Sequence, residues 1–219
     1  MLADDVLAEA DRLGATQALG VSLGAGALLR LLSQHPARFR RVVLVLPAAL
    51  HEAQPSAVRR AGALAGALRA RDRAAVLELV RAELPEEGPW AEAYVAARTD
   101  LLLGSGLGPL LAALETDVPV PDPELLARVS ADVLVLGAEG DDVHPAAVAR
   151  EVAAAIPGAR LVLFARPRPL VHERARVREA VMAHLAGPTG RTGRDQVVDA
   201  AGAGAPRESR QELPGDAPN

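Results

Sequence analysis

TQALGVSLGAGALLRLL, residues 16–32, decides how the rest of the chain is read. It opens as a short apolar strand, Gln17-Ala18-Leu19, turns at Gly20-Val21-Ser22-Leu23-Gly24, and leaves as an amphipathic helix through Ala25-Gly26-Ala27-Leu28-Leu29. Gly-x-Ser-x-Gly between a strand and a helix is a nucleophile elbow, a sharp turn that lifts a serine hydroxyl clear of the backbone. The tightness of such a turn predicts that neither Gly20 nor Gly24 has room for a Cβ. The helix aims its positive end and its unpaired N–H groups at Ser22, and the Leu23 amide is placed as half of an oxyanion hole. Two plainer readings use the same residues. In one, Ser22 merely caps the helix. In the other the stretch is a dinucleotide loop, but Gly24-x-Gly26 lacks the third glycine and no acidic residue closes a following strand near Leu46.

A chain of 219 residues holds one domain with a sizeable core, with room for an inserted subdomain. Half of it is apolar, yet the aromatics are only Phe39, Trp90, Tyr94 and Phe164, so Leu, Val and Ala must build the core. Every basic residue is Arg, the net charge is −4, and no basic stripe supports nucleic-acid binding. Without cysteine there is no thiol catalysis, disulfide or Cys-ligated metal. No pair of histidines has metal-ligand spacing with carboxylates on one face, so neither a metal nor a cofactor is expected. The acidic, amphipathic start, MLADDVLAEADRLG, is unlike a signal peptide, and no run approaches a membrane span. A cytoplasmic protein is the expectation.

Hydrophobic periodicity predicts a helix over 3–13, stopped at Gly14, then the elbow strand and its helix to about Pro36. Arg41-Val-Val-Leu-Val-Leu-Pro47 reads as a strand covered on both faces, as in a parallel sheet. From 48 to 122 the pattern becomes helical, with segments at 56–71, 73–84, 90–103 and 108–115 and no strand. The Pro-rich VPVPDPE at 118–124 marks the return to the main domain. A strand at 132–137, the loop AEGDDVH, a helix opened by Pro145, a strand at 160–164 and a helix over 173–186 complete it. Residues 187–219, rich in Gly, Pro and charge, read as a disordered tail.

Four blocks, in this order, resemble the α/β-hydrolase superfamily: LGVSLGAG at 19–26, HPARFRRVVLV at 35–45, VLVLGAEGDDVHP at 133–145 and IPGARL at 156–161. The resemblance covers 1–186 and is patchy through the helical stretch. It implies a mostly parallel sheet flanked by helices, formed by 1–47 and 123–186, with 48–122 inserted as a helical cap or lid. It also implies a serine hydrolase or esterase acting on an acyl bond of a small molecule, with nucleophile, acid and histidine in that chain order. Residue by residue, Ser22 matches the nucleophile and Leu23 the oxyanion amide. Asp141 matches the acid, with Asp142 as the adjacent fallback; either could instead cap the helix at Pro145. The family's Gly-His pair after the last strand is replaced by Ala165-Arg-Pro-Arg-Pro169, and His172 is the histidine within that loop. His35, His51, His144 and His184 are read as structural or solvent-exposed. The family's strands before the elbow have no counterpart here, so the chain reads as a partial fold with an exposed apolar strand edge open to self-association. A domain of the same fold that binds without catalysing is the alternative.

Overall fold

Parallel pairing requires that each strand be followed by a crossover, and the predicted alternation of strands and helices supplies one each time. The computed structural model describes residues 2–84, 89–114, 116–187 and 198–199. Strands β1 (Gln17–Val21), β2 (Arg41–Val45), β3 (Asp132–Ala138) and β4 (Arg160–Phe164) lie side by side in chain order, all parallel. Helix α1 (Leu2–Leu13) precedes β1, and α2 (Leu23–Gln34) links β1 to β2. Between β2 and β3 come α3 (Pro55–Ala70), α4 (Arg73–Arg81), α5 (Pro89–Gly104), α6 (Gly108–Ala113) and a 3-10 turn at Pro123–Arg128. Helix α7 (Ala146–Ala155) links β3 to β4, and α8 (Pro169–His172) and α9 (Arg174–Ala186) follow β4. Two residues of the expected disordered tail, Val198 and Asp199, form β5 against β4, so part of that segment adds to the sheet. The rest of the tail beyond Gly187 lies outside the described residues.

Alternation along the strands divides the core. Val42, Leu44, Val133 and Val135 point toward α1, α2 and α7 and join one buried cluster. Val43, Val45, Leu134 and Leu136 point the other way, onto Val177, Ala180, Val181 and Leu185 of α9. A strand covered on both faces reads as a continuous apolar run, and β2 is buried at every position. The helices of 48–122 close a separate cluster of their own around Ala67, Val76, Val80, Val95 and Leu102. Strand β1 is the edge. Ala18 packs with the first cluster; Leu19 and Val21 are on the α9 side, where Gln17 Nε2 donates to Leu185 O of α9 at 3.1 Å, yet both stay exposed. Among the described residues no helix is long and apolar enough to cross a membrane.

Candidate active site

Because every strand runs the same way, the loops after β1, β2, β3 and β4 all emerge at one edge of the sheet, the edge where open parallel sheets place their sites. The turn after β1 has the expected strain. Ser22 sits at φ 51°, ψ −110°, between the last residue of β1 and the first of α2. A side chain is rarely held at positive φ unless its surroundings enforce it. Here the enforcement is visible: Ser22 N–H donates to Val45 O at 2.9 Å, extending the ladder, and Ser22 O accepts from Gly26 N–H at 3.1 Å, starting the helix.

Only one of the two flanking glycines is there for want of space. A Cβ on Gly20 would lie 2.4 Å from Gly24 O and 2.7 Å from Ala25 N, both rigid backbone atoms. A Cβ on Gly24 would meet nothing within 4 Å, which corrects the expectation that both positions are closed. The turn curls inward at Gly20 and opens outward at Gly24.

The serine hydroxyl does not cap α2. It is hydrogen-bonded to His144 Nε2 at 2.9 Å, across 122 residues of sequence. The other ring nitrogen, His144 Nδ1, lies 3.3 Å from Asp141 Oδ1. That same oxygen accepts the backbone N–H groups of Val143, at 3.1 Å, and His144, at 2.9 Å. The loop after β3 is thus folded by its own aspartate into a tight turn, with Gly140 at φ +69° letting the chain reverse. Three residues on from a carboxylate in such a turn, an imidazole returns over it. Burial alone would raise the Asp141 carboxyl; the His144 ring and the two amides outweigh that, and its pKa falls below the ordinary value. Both side chains are largely shielded, His144 at 18% and Asp141 at 9% exposure. Asp142, the fallback acid, is exposed on the same loop.

His172 is a correction. It ends the four-residue α8, its ring is exposed, and it does not line the cavity around Ser22. Pro169 starts α8 so soon after β4 that His172 falls on the helix surface instead of in the loop. The histidine that meets Ser22 is His144, which sequence reasoning assigned to the loop as a structural residue. The signal was present: Asp-x-x-His directly after a strand places carboxylate and imidazole on one turn. Of the others, His35 ends α2, His51 pairs with Glu151 at 2.8 Å, and His184 is buried against β3.

Ser22, Leu23, Asp141 and His144 open onto a cavity of about 640 Å³, roofed by residues of α3, α5 and α6. Among the described residues, three of the four non-glycine residues at positive φ, Ser22, Leu46 and Arg168, line it. Strain concentrated around one cavity is characteristic of functional sites.

This architecture was compared with known proteins. No protein-family model and no curated relative matches the sequence. Solved structures do. An esterase from Rhodococcus sp. ECU1013 superposes with a TM-score of 0.67 at 23% identity, over 86% of this chain and 72% of its own. The 2-hydroxy-6-oxo-6-phenylhexa-2,4-dienoate hydrolase of Rhodococcus sp. strain RHA1 gives 0.65 at 20% identity, over 84% and 69%. A hydrolase from Pseudomonas aeruginosa PA01 gives 0.60 at 29% identity, over 84% and 71%. The chain has the α/β-hydrolase fold. Within that fold Ser22 stands at the strand-to-helix turn after β1, and Asp141 and His144 on the loop after β3. The Leu23 amide is the first of α2, among those that a helix leaves unpaired at its start. Among the described residues, no three of His, Cys, Asp and Glu are grouped to hold a metal ion.

Proposed function

We propose that this chain is a serine hydrolase that cleaves an ester or similar acyl bond of a small molecule, with Ser22 as nucleophile, His144 as general base and Asp141 as the group that orients it. One observation carries the reading: His144 Nε2 stands 2.9 Å from the hydroxyl of a serine held at positive φ. With its proton on Nδ1, facing Asp141, the imidazole offers Nε2 as the acceptor for the serine proton. Ser22 Oγ then bonds to the acyl carbon while His144 takes that proton. The carbonyl oxygen becomes an oxyanion next to the Leu23 N–H, where the positive end of α2 favours it. Collapse breaks the bond to the leaving group, which takes the proton from His144. Water, deprotonated by the same imidazole, releases the acid and restores Ser22. The helices of 48–122 act as a cap that shields the reaction, their own core letting them fold as a unit over the sheet.

The test is a fluorophosphonate probe together with short-chain nitrophenyl esters. Labelling is expected at Ser22 and should vanish in Ser22→Ala. His144→Ala is expected to lower turnover by several orders of magnitude and His172→Ala to have little effect. If His172→Ala is the damaging change, the assignment of the base is wrong. A protein that folds but is never labelled supports the second reading, a binding domain that uses the edge of β1, where Leu19 and Val21 are exposed and which would also favour self-association.

A further inference from the structure

Helix α2 does more than present Ser22. About two turns past the serine it fastens the segment by which the chain returns from the helices of 48–122 to the sheet. Arg30 Nη1 donates to Asp117 Oδ2 at 2.9 Å, and Nη2 donates to Asp117 Oδ1 at 2.5 Å. Nη2 also donates to Val118 O, and Nε to Pro119 O at 3.2 Å. Every nitrogen of one guanidinium therefore closes on three consecutive residues, a match that needs its planar fork of donors. The pairing holds the Asp117 carboxyl below its ordinary pKa, and Asp4 of α1 adds to the field that keeps Arg30 charged. One turn nearer the serine, Gly26 lets the same segment rest on the helix, since a Cβ there would lie 3.3 Å from Pro119 Cγ.

This segment is also a wall of the site. Leu114, Asp117 and Pro119 line the cavity around Ser22. The next residue, Val120, is buried in the sheet's core cluster and donates to the carbonyl of Leu50, on the outgoing crossover, at 3.0 Å. The helices of 48–122 close a core of their own, so their place over Ser22 depends on what ties them to the sheet side. Two other ties are single contacts: His51 with Glu151 of α7, and Arg168 with Ala82 O. Arg30 makes four. An exposed ion pair alone would hold little, but the Arg30 side chain is 29% exposed and two of its acceptors are backbone carbonyls, which cannot swing away as a carboxylate can.

We propose that Arg30 is a positioning residue of this site: it locks residues 117–119 onto the helix of the nucleophile and so fixes a cavity wall that a substrate filling the cavity must contact. Its consequence for turnover rests on the hydrolase reading. The clamp itself is a property of the fold and can be measured without turnover.

Amide exchange followed by NMR on the full chain reads the clamp. The N–H groups of Asp117 and Val120, bonded to Ala113 O at 2.9 Å and Leu50 O at 3.0 Å, are expected to exchange about tenfold faster in Arg30→Gln, with the amides of β2 and β3 unchanged. Arg30→Lys, a point charge without the fork, is expected to restore only part of the protection. Asp117 is half exposed, so Asp117→Asn serves if Arg30→Gln disturbs folding; it is expected to speed the Val120 amide and to add nothing in the Arg30→Gln background. Unchanged rates in both variants, or effects that simply add, overturn the clamp. Kinetics read the positioning role. Arg30→Gln is expected to raise KM for nitrophenyl octanoate about tenfold, the loss of roughly one charged hydrogen bond, with kcat and the turnover of nitrophenyl acetate little changed. A change shared equally by the two esters, as loss of folded protein would give, or no change on either overturns that role. Faster exchange at these amides in a protein that a fluorophosphonate never labels would leave the clamp standing and remove the hydrolase reading.

Discussion

At Gly20 and Gly24 the same residue type answers to different forces. At Gly20 the obstacle is the backbone of α2 itself, 2.4 Å from where a Cβ would stand, so no side-chain rearrangement can make room. Gly20→Ala is expected to dislocate the elbow, with loss of the Ser22–His144 contact and a fall in the thermal midpoint of several degrees. Gly24 stands in the first turn of α2 with open space beyond it, so Gly24→Ala is expected to be neutral or to raise the midpoint, since alanine favours a helix by up to about 1 kcal/mol. Paired melting curves check both, and equal losses would mean that the turn is closed on both sides after all. At this scale the sequence pointed to the turn at Ser22 and to the loop aspartate Asp141, because the hydrogen bonds that shape each turn, Gly26 N–H to Ser22 O and the Val143 and His144 amides to Asp141, lie within a few residues along the chain. It did not disclose His144. The base was sought after the last strand, where the resemblance puts it, and the contact across 122 residues exists only once β1 and β3 lie in register on either side of β2.

Elements were more legible than contacts. The four helices of 48–122 and the four main strands follow directly from period and punctuation, because each buries a face or both faces. The short pieces were not legible: the 3-10 turn at Pro123–Arg128 and α8 lack the length over which a period can show, and β5 has two residues. Helix α9 illustrates how an element is fastened. Its His184 is 2% exposed, and its ring lies against Arg160 and donates from Nε2 to Asp132 O at 3.1 Å. Arg41, from β2, holds the carbonyls of Leu185 and Gly187 just beyond. Burial lowers the pKa of His184, with Arg160 and Arg41 acting the same way and Asp132 opposing. A histidine depressed in the folded state binds fewer protons there than when unfolded, so stability rises with pH across that interval. Its contribution is complete above the ordinary value of 6.5 and fades as pH falls toward the lowered one. Denaturant midpoints measured at pH 7.5 and 5.5 are expected to drop on acidification, and His184→Gln should flatten that slope. An unchanged slope would show that other groups carry the acid sensitivity.

For the molecule as a whole, the open question is one edge. Strand β1 pairs with β2 alone among the described strands, and its α9-side face carries Leu19 at 46% and Val21 at 39% exposure. An edge strand with unpaired N–H and C=O groups and branched apolar side chains templates further pairing unless charge, proline or a bulge blunts it. The residues of β1, Gln-Ala-Leu-Gly-Val, offer none of these. The contrast with β2, buried at every position, shows what such a strand becomes when a neighbour lies on each side. The chain is therefore expected to self-associate with rising concentration, and Leu19→Lys, which puts a charge on the exposed face without touching the α2 side, is expected to shift it toward monomer. Sedimentation velocity over a hundredfold concentration range reads both. Because Leu19 lies outside the Ser22–His144–Asp141 contacts, Leu19→Lys should keep its fluorophosphonate labelling. A monodisperse wild-type monomer across that range would mean that the edge is inert, and with it would go the reading of this chain as a domain that binds through β1.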